Sequence, residues 1–210
     1  ELKKIAEKRN FPILLGDNST NKMIIELMYY LNELMAPKMS MHATLLEIYG
    51  RGVLLTGASG IGKSEIALEL VRRGHRLVAD DRVDLVNINK KLTGTCPELT
   101  KGVMEVRGIG IIDISKMFGI NTIINTHEID LIIKLVPLRT DVEMDRLGNN
   151  NDYYDILGQK VPLITIPVSG ARSVGDIIEV AVTNYKLKQT GYNSTYEFEE
   201  RLNELLRKDN

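Results

Sequence analysis

Apolar residues change their spacing on either side of a glycine-rich segment, residues 57–62. Before it, Val53, Leu54 and Leu55 form a continuous apolar run, which predicts a buried strand. After it, apolar residues recur at helical spacing: Ile66, Ala67, Leu70 and Val71. A buried strand, a glycine turn and an amphipathic helix in this order predict one βα unit of an α/β protein.

Further apolar runs, bounded by glycine or polar residues, predict more strands and helices. The predicted strands cover residues 11–15, 42–49, 76–79, 83–88, 92–95, 129–136 and 161–167. Residues 104–113 have glycines inside an apolar run and are predicted to be a strand bent into a loop. Helices are predicted to end at residue 35 and to cover residues 114–118 and 173–188. The last helix is predicted to begin at a capping box, Ser194 to Glu197. Residues 50–52 are expected to form a tight turn, and residues 139–160 a polar loop.

The first 37 residues differ in character from the rest of the chain. Their helix ends at Ala36 and Pro37, because the residue before a proline is disfavoured in helical conformation. We interpret residues 1–37 as the end of another domain plus a connector helix, and residues 38–210 as a catalytic domain. Glu1, not a methionine, begins the chain inside a predicted helix, so we expect a further N-terminal region to precede it.

Composition narrows the classes of partner. The net charge of −1 over 210 residues gives no basic surface for nucleic acid or an anionic membrane. No apolar run reaches the length of a membrane span. The single cysteine, Cys96, is compatible with a reducing compartment, so we expect a cytoplasmic protein.

The glycine-rich segment continues into Lys63 and Ser64, which completes the Gly-x-x-x-x-Gly-Lys-Ser pattern of a P-loop. Glycines allow backbone N–H groups to converge on a phosphate, and the helix N-terminus adds its positive end. The predicted nucleotide-binding residues are Gly57, Ala58, Ser59, Gly60, Ile61, Gly62, Lys63 and Ser64. The lysine can reach the outer phosphates of ATP, and the serine hydroxyl can bind Mg²⁺.

Charged residues near predicted strand ends are the candidates for chemistry. Asp80 and Asp81 follow a short apolar strand, where nucleotide enzymes place a Mg²⁺ contact or a base, although an aspartate there can also simply cap a turn. Glu105 and Arg107 lie beside glycines and could form a plain surface ion pair. Arg146 and Arg172 lie in predicted loops, where a guanidinium can neutralise a phosphoryl group.

Taken together, these motifs resemble the catalytic domain of the bacterial HPr kinase/phosphorylase family. The matching segments are residues 40–50, 57–65, 73–83, 104–113, 145–148 and 179–185. Arg-Gly-His-Arg-Leu-Val-Ala-Asp-Asp, residues 73–81, and Glu-Val-Arg-Gly-Ile-Gly, residues 105–110, are more specific than the P-loop pattern.

The resemblance implies a Mg²⁺-dependent bifunctional enzyme. It would phosphorylate a serine of the phosphocarrier protein HPr with ATP or pyrophosphate, and remove that phosphate with inorganic phosphate to release pyrophosphate. It also implies a homohexamer and an architecture similar to the nucleotide domain of phosphoenolpyruvate carboxykinase. We expect this enzyme to regulate carbon metabolism.

The resemblance also implies roles for single residues. Lys63 would bind the outer phosphates, and Ser64 and Glu105 would hold Mg²⁺. Asp81 is favoured as the base, with Asp80 as its partner or a metal contact. The remaining implied roles are assistance at the phosphoryl group, from His42 and Arg146, and dephosphorylation, from Arg172.

Two other functions stay open at this point. One is a P-loop kinase or carboxykinase-like enzyme that acts on a small metabolite. The other is a binding module that uses ATP only as a switch. The chain also departs from the family pattern at Ala43, where the family usually has glycine, at Ala58 in the P-loop, and in residues 170–173, a segment implied to serve dephosphorylation.

Overall fold

The computed structural model describes residues 2–13, 16–138, 152–168 and 173–208. The chain divides into two compact units, Glu1–Ala36 and Pro37–Asn210. The first unit contains helices α1 (Leu2–Arg9) and α2 (Thr20–Leu34). Residues 11–13 form no strand, so the prediction of a strand over residues 11–15 is wrong there, and Leu14 and Leu15 lie outside the described residues. The interpretation of this unit as the end of another domain stays a prediction.

The second unit alternates strands and helices, which confirms the α/β class. Its strands are β1 (Lys38–His42), β2 (Thr44–Ile48), β3 (Arg51–Gly57), β4 (Arg76–Ala79), β5 (Arg82–Ile88), β6 (Lys91–Thr95), β7 (Val103–Val106), β8 (Gly110–Asp113), β9 (Thr126–Glu128), β10 (Leu131–Pro137), β11 (Asp152–Ile156) and β12 (Gln159–Val168). Its helices are α3 (Lys63–Arg72), α4 (Ile114–Phe118), α5 (Val174–Gln189) and α6 (Ser194–Lys208). Among the described residues, no helix is both long and apolar enough to cross a bilayer.

The strands form three sheets within the described residues. A six-stranded sheet has the order β11-β12-β10-β3-β2-β4, and a four-stranded sheet has the order β1-β5-β6-β9. In the six-stranded sheet, β3 pairs in parallel with β10, which pairs in parallel with β12. The remaining strand pairs are antiparallel, including the small hairpin of β7 and β8.

Apolar side chains of β3 point alternately into two cores. Val53 and Leu55 pack in the core that includes helices α3 and α5. Leu54 packs in the other core, with residues of the four-stranded sheet such as Val83 and Leu85. The strand is therefore buried on both faces, which explains why its apolar run is continuous rather than alternating.

Several predicted boundaries are corrected by tertiary pairing. The strand predicted over residues 42–49 is broken at Ala43, because β1 and β2 join different sheets. The tight turn is formed by Tyr49 and Gly50, not by residues 50–52. Residues 152–156 form strand β11 rather than a loop.

The last helix begins differently from its predicted capping box. The Asn193 side chain accepts the Thr195 N–H at 3.0 Å, so Asn193 supplies the side-chain contact expected from Ser194.

Charged side chains join the end of α3 to the start of α5. The Arg73 guanidinium contacts Glu69, Asp176 and Glu179. Glu179 also bonds His75 Nε2 at 2.9 Å and accepts the Tyr49 hydroxyl at 3.1 Å. Burial raises the pKa of Glu179, but hydrogen bonds from His75, Arg73 and Tyr49 outweigh it and hold the pKa below its usual range.

Candidate active site

The glycine-rich segment 57–62 connects the end of β3 to the first turn of α3. A Cβ on Gly57 would come within 2.7 Å of the Leu135 carbonyl oxygen, so only glycine fits there. Gly62 precedes the helix with a φ of 98°, a conformation that favours glycine. Lys63, Ser64 and Glu65, the first residues of α3, line the cavity beside the segment. The first N–H groups of a helix have no partner within it and can bind an anion there.

Lys63 is held inside this segment. It is only 7% exposed. Its Nζ donates to the carbonyl oxygens of Gly57 at 3.1 Å and Ala58 at 3.4 Å, and lies 3.2 Å from His42 Nε2. The ammonium group thus lies between the glycine-rich segment and the end of β1.

The opposite wall of the cavity is formed by two segments that are adjacent in space, residues 42–44 and 80–82. In each of them the chain passes from one sheet to the other, and we call this pair of segments the sheet switch. The first segment passes from β1 to β2 at Ala43, and the second from β4 to β5 at Asp80 and Asp81. The Ala43 N–H donates to the Asp81 carbonyl oxygen at 3.2 Å, which holds the two segments together. Asp81 has a φ of 64°, the left-handed region that aspartate tolerates better than most residues.

Asp80 is enclosed by the sheet switch and is only 5% exposed. Its Oδ1 accepts the Thr44 hydroxyl at 2.7 Å, and its Oδ2 accepts the Ser64 hydroxyl at 2.8 Å. Burial raises the pKa of Asp80, while the hydrogen bonds from Thr44 and Ser64 oppose that rise. With both oxygens engaged, Asp80 is suited to hold other groups rather than to reach a substrate.

Asp81 has the opposite environment. Its side chain is 78% exposed, and its Oδ1 lies 2.9 Å from His42 Nδ1. Because the Lys63 ammonium can only donate to His42 Nε2, we assign the imidazole proton to Nδ1, which faces both the Asp81 carboxylate at 2.9 Å and the Asp81 carbonyl oxygen at 3.0 Å. The resulting chain, Lys63 to His42 to Asp81, leaves a carboxylate open to the cavity.

Hairpin β7–β8 supplies the remaining wall. Glu105 and Arg107 line the same cavity of about 250 Å³ as the residues above. The Arg107 guanidinium lies against the glycine-rich segment, since a Cβ on Gly60 would meet it at 2.8 Å. The cavity therefore combines a cationic nest with several carboxylates.

The oxygen donors fit a small hard cation. Ser64, Asp80, Asp81 and Glu105 all line the cavity, and Mg²⁺ prefers oxygen ligands of this kind. Among the described residues, no three His, Cys, Asp or Glu side chains converge as a ready metal cluster. An ion bound here would therefore take its remaining ligands from water and phosphate oxygens, as Mg²⁺ does at nucleotide sites.

Comparison with known proteins identifies the family of this chain. The family model described as the HPr Serine kinase C-terminal domain matches residues 33–202. The chain belongs to this family. The expected resemblance is thereby confirmed.

Named members of the HPr kinase family resemble the chain over most of its length. It is 48% identical to the HPr kinase/phosphorylase of Clostridium perfringens (strain SM101 / Type A) over 189 residues. This aligned region covers 90% of this chain and 62% of that protein. It is 45% identical over 210 residues to that of Limosilactobacillus reuteri (strain DSM 20016), covering 100% of this chain and 66% of the relative. The chain thus spans about three fifths of the length of the first of these relatives.

A solved structure supports the same family. The Hpr(Ser) kinase/phosphatase from Coxiella burnetii matches with a TM-score of 0.70 and 42% sequence identity. The match covers 76% of this chain and 98% of the solved chain. The α/β arrangement is therefore shared with a member of the HPr kinase family.

Most of the predicted site residues converge on one cavity. Its lining includes the predicted residues His42, Ser59, Gly60, Gly62, Lys63, Ser64, Asp80, Asp81 and Glu105. Gly57 and Ala58 reach the site through their carbonyl oxygens, which accept from Lys63. Arg146 and Arg172 lie outside the described residues, so their predicted roles stay predictions.

Two residues in the site were not predicted to be functional. Arg107 was considered a possible surface ion-pair partner of Glu105 and was given no role at the site, although it lines the cavity. Thr44 was predicted only to belong to a strand, yet its hydroxyl holds Asp80. The available signal was a lone hydroxyl in an otherwise apolar stretch, Thr44-Leu45-Leu46, soon after a candidate histidine.

Proposed function

We propose that this chain catalyses phosphoryl transfer between ATP or pyrophosphate and a serine of the protein HPr, and the reverse transfer to inorganic phosphate. The observation that supports this most directly is the pairing of a cationic phosphate nest around Lys63 with the exposed carboxylate of Asp81 across one cavity. A phosphate nest alone supports nucleotide binding, whereas the open carboxylate adds a group that can accept a proton from a hydroxyl.

In the phosphorylation direction, Asp81 accepts the proton of the HPr serine hydroxyl as the serine oxygen bonds to the terminal phosphorus. The bond from that phosphorus to the leaving oxygen of ADP or phosphate breaks at the same time. His42 donates to the Asp81 carboxylate and so fixes its orientation toward the cavity. Lys63 and the N–H groups of α3 neutralise the charge that accumulates on the phosphate oxygens.

In the reverse direction, inorganic phosphate occupies the glycine-rich segment and its oxygen attacks the phosphorus of phosphoserine. Asp81, whose side chain is exposed and takes up a proton from solvent, donates that proton to the departing serine oxygen. The attacking phosphate releases its own proton to solvent, and pyrophosphate remains in the nest. One site suffices for both directions, because dephosphorylation by phosphate is the direct reverse of phosphorylation by pyrophosphate and crosses the same transition state.

Ser64 and Glu105 are the residues that we propose to hold Mg²⁺, with Asp80 oriented behind Ser64. When bound, the ion would neutralise and orient the phosphate oxygens. The glycine-rich segment would then act as a P-loop in a domain that resembles the nucleotide domain of phosphoenolpyruvate carboxykinase. We also propose a cytoplasmic homohexamer with a role in regulating carbon metabolism, as the family resemblance implies.

The decisive experiment measures the intact mass of HPr after incubation with this chain, Mg²⁺ and ATP, followed by addition of inorganic phosphate. We expect one phosphoryl group to be added and then lost with release of pyrophosphate. Addition without phosphate-driven loss would contradict the reverse activity. No addition would contradict the proposal and favour a kinase of small metabolites, which the same reaction mixture with free serine would test.

A further inference from the structure

We propose that Thr44 is a positioning residue, which fixes through Asp80 the direction in which Ser64 presents its hydroxyl oxygen to the cavity. The inference rests on the nucleotide site of the proposed function and adds a residue from a different strand to it. The three side chains form a chain of hydrogen bonds, in which the Thr44 and Ser64 hydroxyls donate to the two carboxylate oxygens of Asp80.

Thr44 cannot act by touching a substrate. It is fully buried in β2 and is not among the residues that line the cavity. Ser64, in contrast, is half-buried and lines the cavity directly. Any influence of Thr44 on a bound nucleotide must therefore pass through Asp80, which is its hydrogen-bond partner.

The geometry shows what that influence is. A serine hydroxyl has one proton and two acceptor lone pairs. Since Ser64 donates its proton back to Asp80 Oδ2 at 2.8 Å, its lone pairs are left for a ligand in the cavity. The direction of this hydroxyl is set by the plane of the Asp80 carboxylate.

The Asp80 carboxylate needs an anchor of its own, because rotation about the last torsion of an aspartate side chain is soft. The adjacent Asp81 backbone N–H also donates to this carboxylate, but it belongs to the same turn as Asp80. Thr44 holds Oδ1 at 2.7 Å from a neighbouring strand, so it ties the carboxylate to the six-stranded sheet. Removal of this hydroxyl would leave one carboxylate oxygen buried without its partner and free the carboxylate to turn.

The test measures equilibrium binding of a non-hydrolysable ATP analogue by calorimetry, once with MgCl₂ and once with EDTA, without HPr. The dissociation constant in EDTA divided by that in MgCl₂ gives a ratio that reports how strongly Mg²⁺ improves nucleotide binding. We expect Thr44→Val to reduce this ratio about tenfold, the size expected when one partner of a buried hydrogen bond is removed. Thr44→Ser, which keeps the hydroxyl, should stay within about twofold of the wild-type ratio.

Two controls separate positioning from general damage. Thr95→Val removes a hydroxyl that bonds a backbone oxygen in the four-stranded sheet, and it should leave the ratio unchanged. In a double-mutant cycle, Thr44→Val should have no further effect on the ratio when Ser64 is already alanine. If Thr44→Val does not fold, as judged by circular dichroism, Thr44→Cys takes its place and should lower the ratio relative to Thr44→Ser.

The outcomes distinguish this inference from the proposed function. An unchanged ratio in Thr44→Val or its cysteine substitute, or an undiminished effect in the Ser64→Ala background, overturns the role of Thr44. Equal weakening in MgCl₂ and EDTA overturns it as well, because it would show a merely structural contribution. Failure of the wild-type chain to bind the analogue in either buffer would contradict the nucleotide site itself.

Discussion

Two of the three walls of the cavity, the glycine-rich segment and the sheet switch, are built in different ways. The glycine-rich segment gets its shape from a local run of residues between β3 and α3, and its chemistry from backbone N–H groups and Lys63. The sheet switch gets its shape from two segments distant in the chain, which are joined by the bond from Ala43 to Asp81. The proposed phosphate nest is therefore a local property of the sequence, whereas the position of the proposed base, Asp81, depends on the whole sheet arrangement.

The largest loss of activity is expected from a substitution in the wall formed by the glycine-rich segment and Lys63. Lys63→Ala should lower both phosphorylation and dephosphorylation of HPr by about a thousandfold or more, because both directions place phosphate in the same nest. Initial rates in each direction, measured by intact mass and by pyrophosphate release, would check this. Arg72→Ala, at the exposed far end of the same helix, should leave both rates unchanged. Retained dephosphorylation by Lys63→Ala would contradict a shared site.

The two carboxylates of the sheet switch, Asp80 and Asp81, are expected to have different roles, which substitutions can separate. Asp81→Asn should lower kcat about 10²–10⁴-fold in both directions while nucleotide affinity is retained, since it removes only the proton acceptor. Asp80→Asn should instead weaken nucleotide binding in the presence of Mg²⁺, because Asp80 holds Ser64. Calorimetric titration beside steady-state rates measures both quantities. The same pattern of losses in the two variants would show that the carboxylates do not have the separate roles assigned to them.

His42 connects the two walls, and its replacement should have an intermediate effect. His42→Ala removes the donor to Asp81 and should lower kcat about tenfold, as expected for the loss of one hydrogen bond to a charged group. His42→Asn keeps a donor near the position of Nδ1 and should recover part of the rate. Steady-state kinetics of both variants with ATP and HPr would decide. Equal rates for alanine and asparagine would contradict the orienting role of the imidazole.

The smallest effect on activity is expected from Glu179, which lies outside the cavity and joins the end of α3 to α5. Glu179→Gln should lower the melting temperature by about 2–4 °C near pH 7 for a loss of about 1 kcal/mol, with little change in kcat. Because the pKa of Glu179 is lowered in the folded chain, its stabilisation is present above the usual value of 4.5 and is lost as the pH falls through the folded value. The difference from wild type should therefore shrink when melting is measured at progressively lower pH.

The exposed Glu200→Gln in α6 is the matched control for this measurement. Its melting temperature should follow the wild type at every pH. A difference between Glu179→Gln and wild type that stays constant below pH 4.5 would contradict the assigned ion pairs.

The contrast between the walls also explains what the sequence could predict. The strand from Val53 to Leu55, the segment 57–62 and the start of α3 follow from local spacing and were predicted correctly. The break at Ala43 was not, because an apolar alternation cannot show that a strand leaves one sheet for another. Ala43 itself lies in the core between the sheets without a left-handed φ, so glycine is not required there.

For the same reason, local spacing could not predict the contact of Thr44 with Asp80 or the different burial of Asp80 and Asp81. Two adjacent aspartates look equivalent in the sequence, and only the pairing of β2 with β4 buries one and leaves the other open. The convergence of Lys63 and both aspartates was predicted from the family resemblance as well as from their positions after strands.

The parallel pairing of β3 has a consequence for how the chain folds as it is synthesised. On one side, β3 forms a hairpin with β2 through Tyr49 and Gly50, both in the left-handed region, and such local hairpins form early. On the other side, its partner β10 comes much later in the chain, and Gly57 fits closely against Leu135 of that strand. Because non-local parallel pairing is slow, nucleotide should begin to protect the nascent chain from protease only after β10 has left the ribosome.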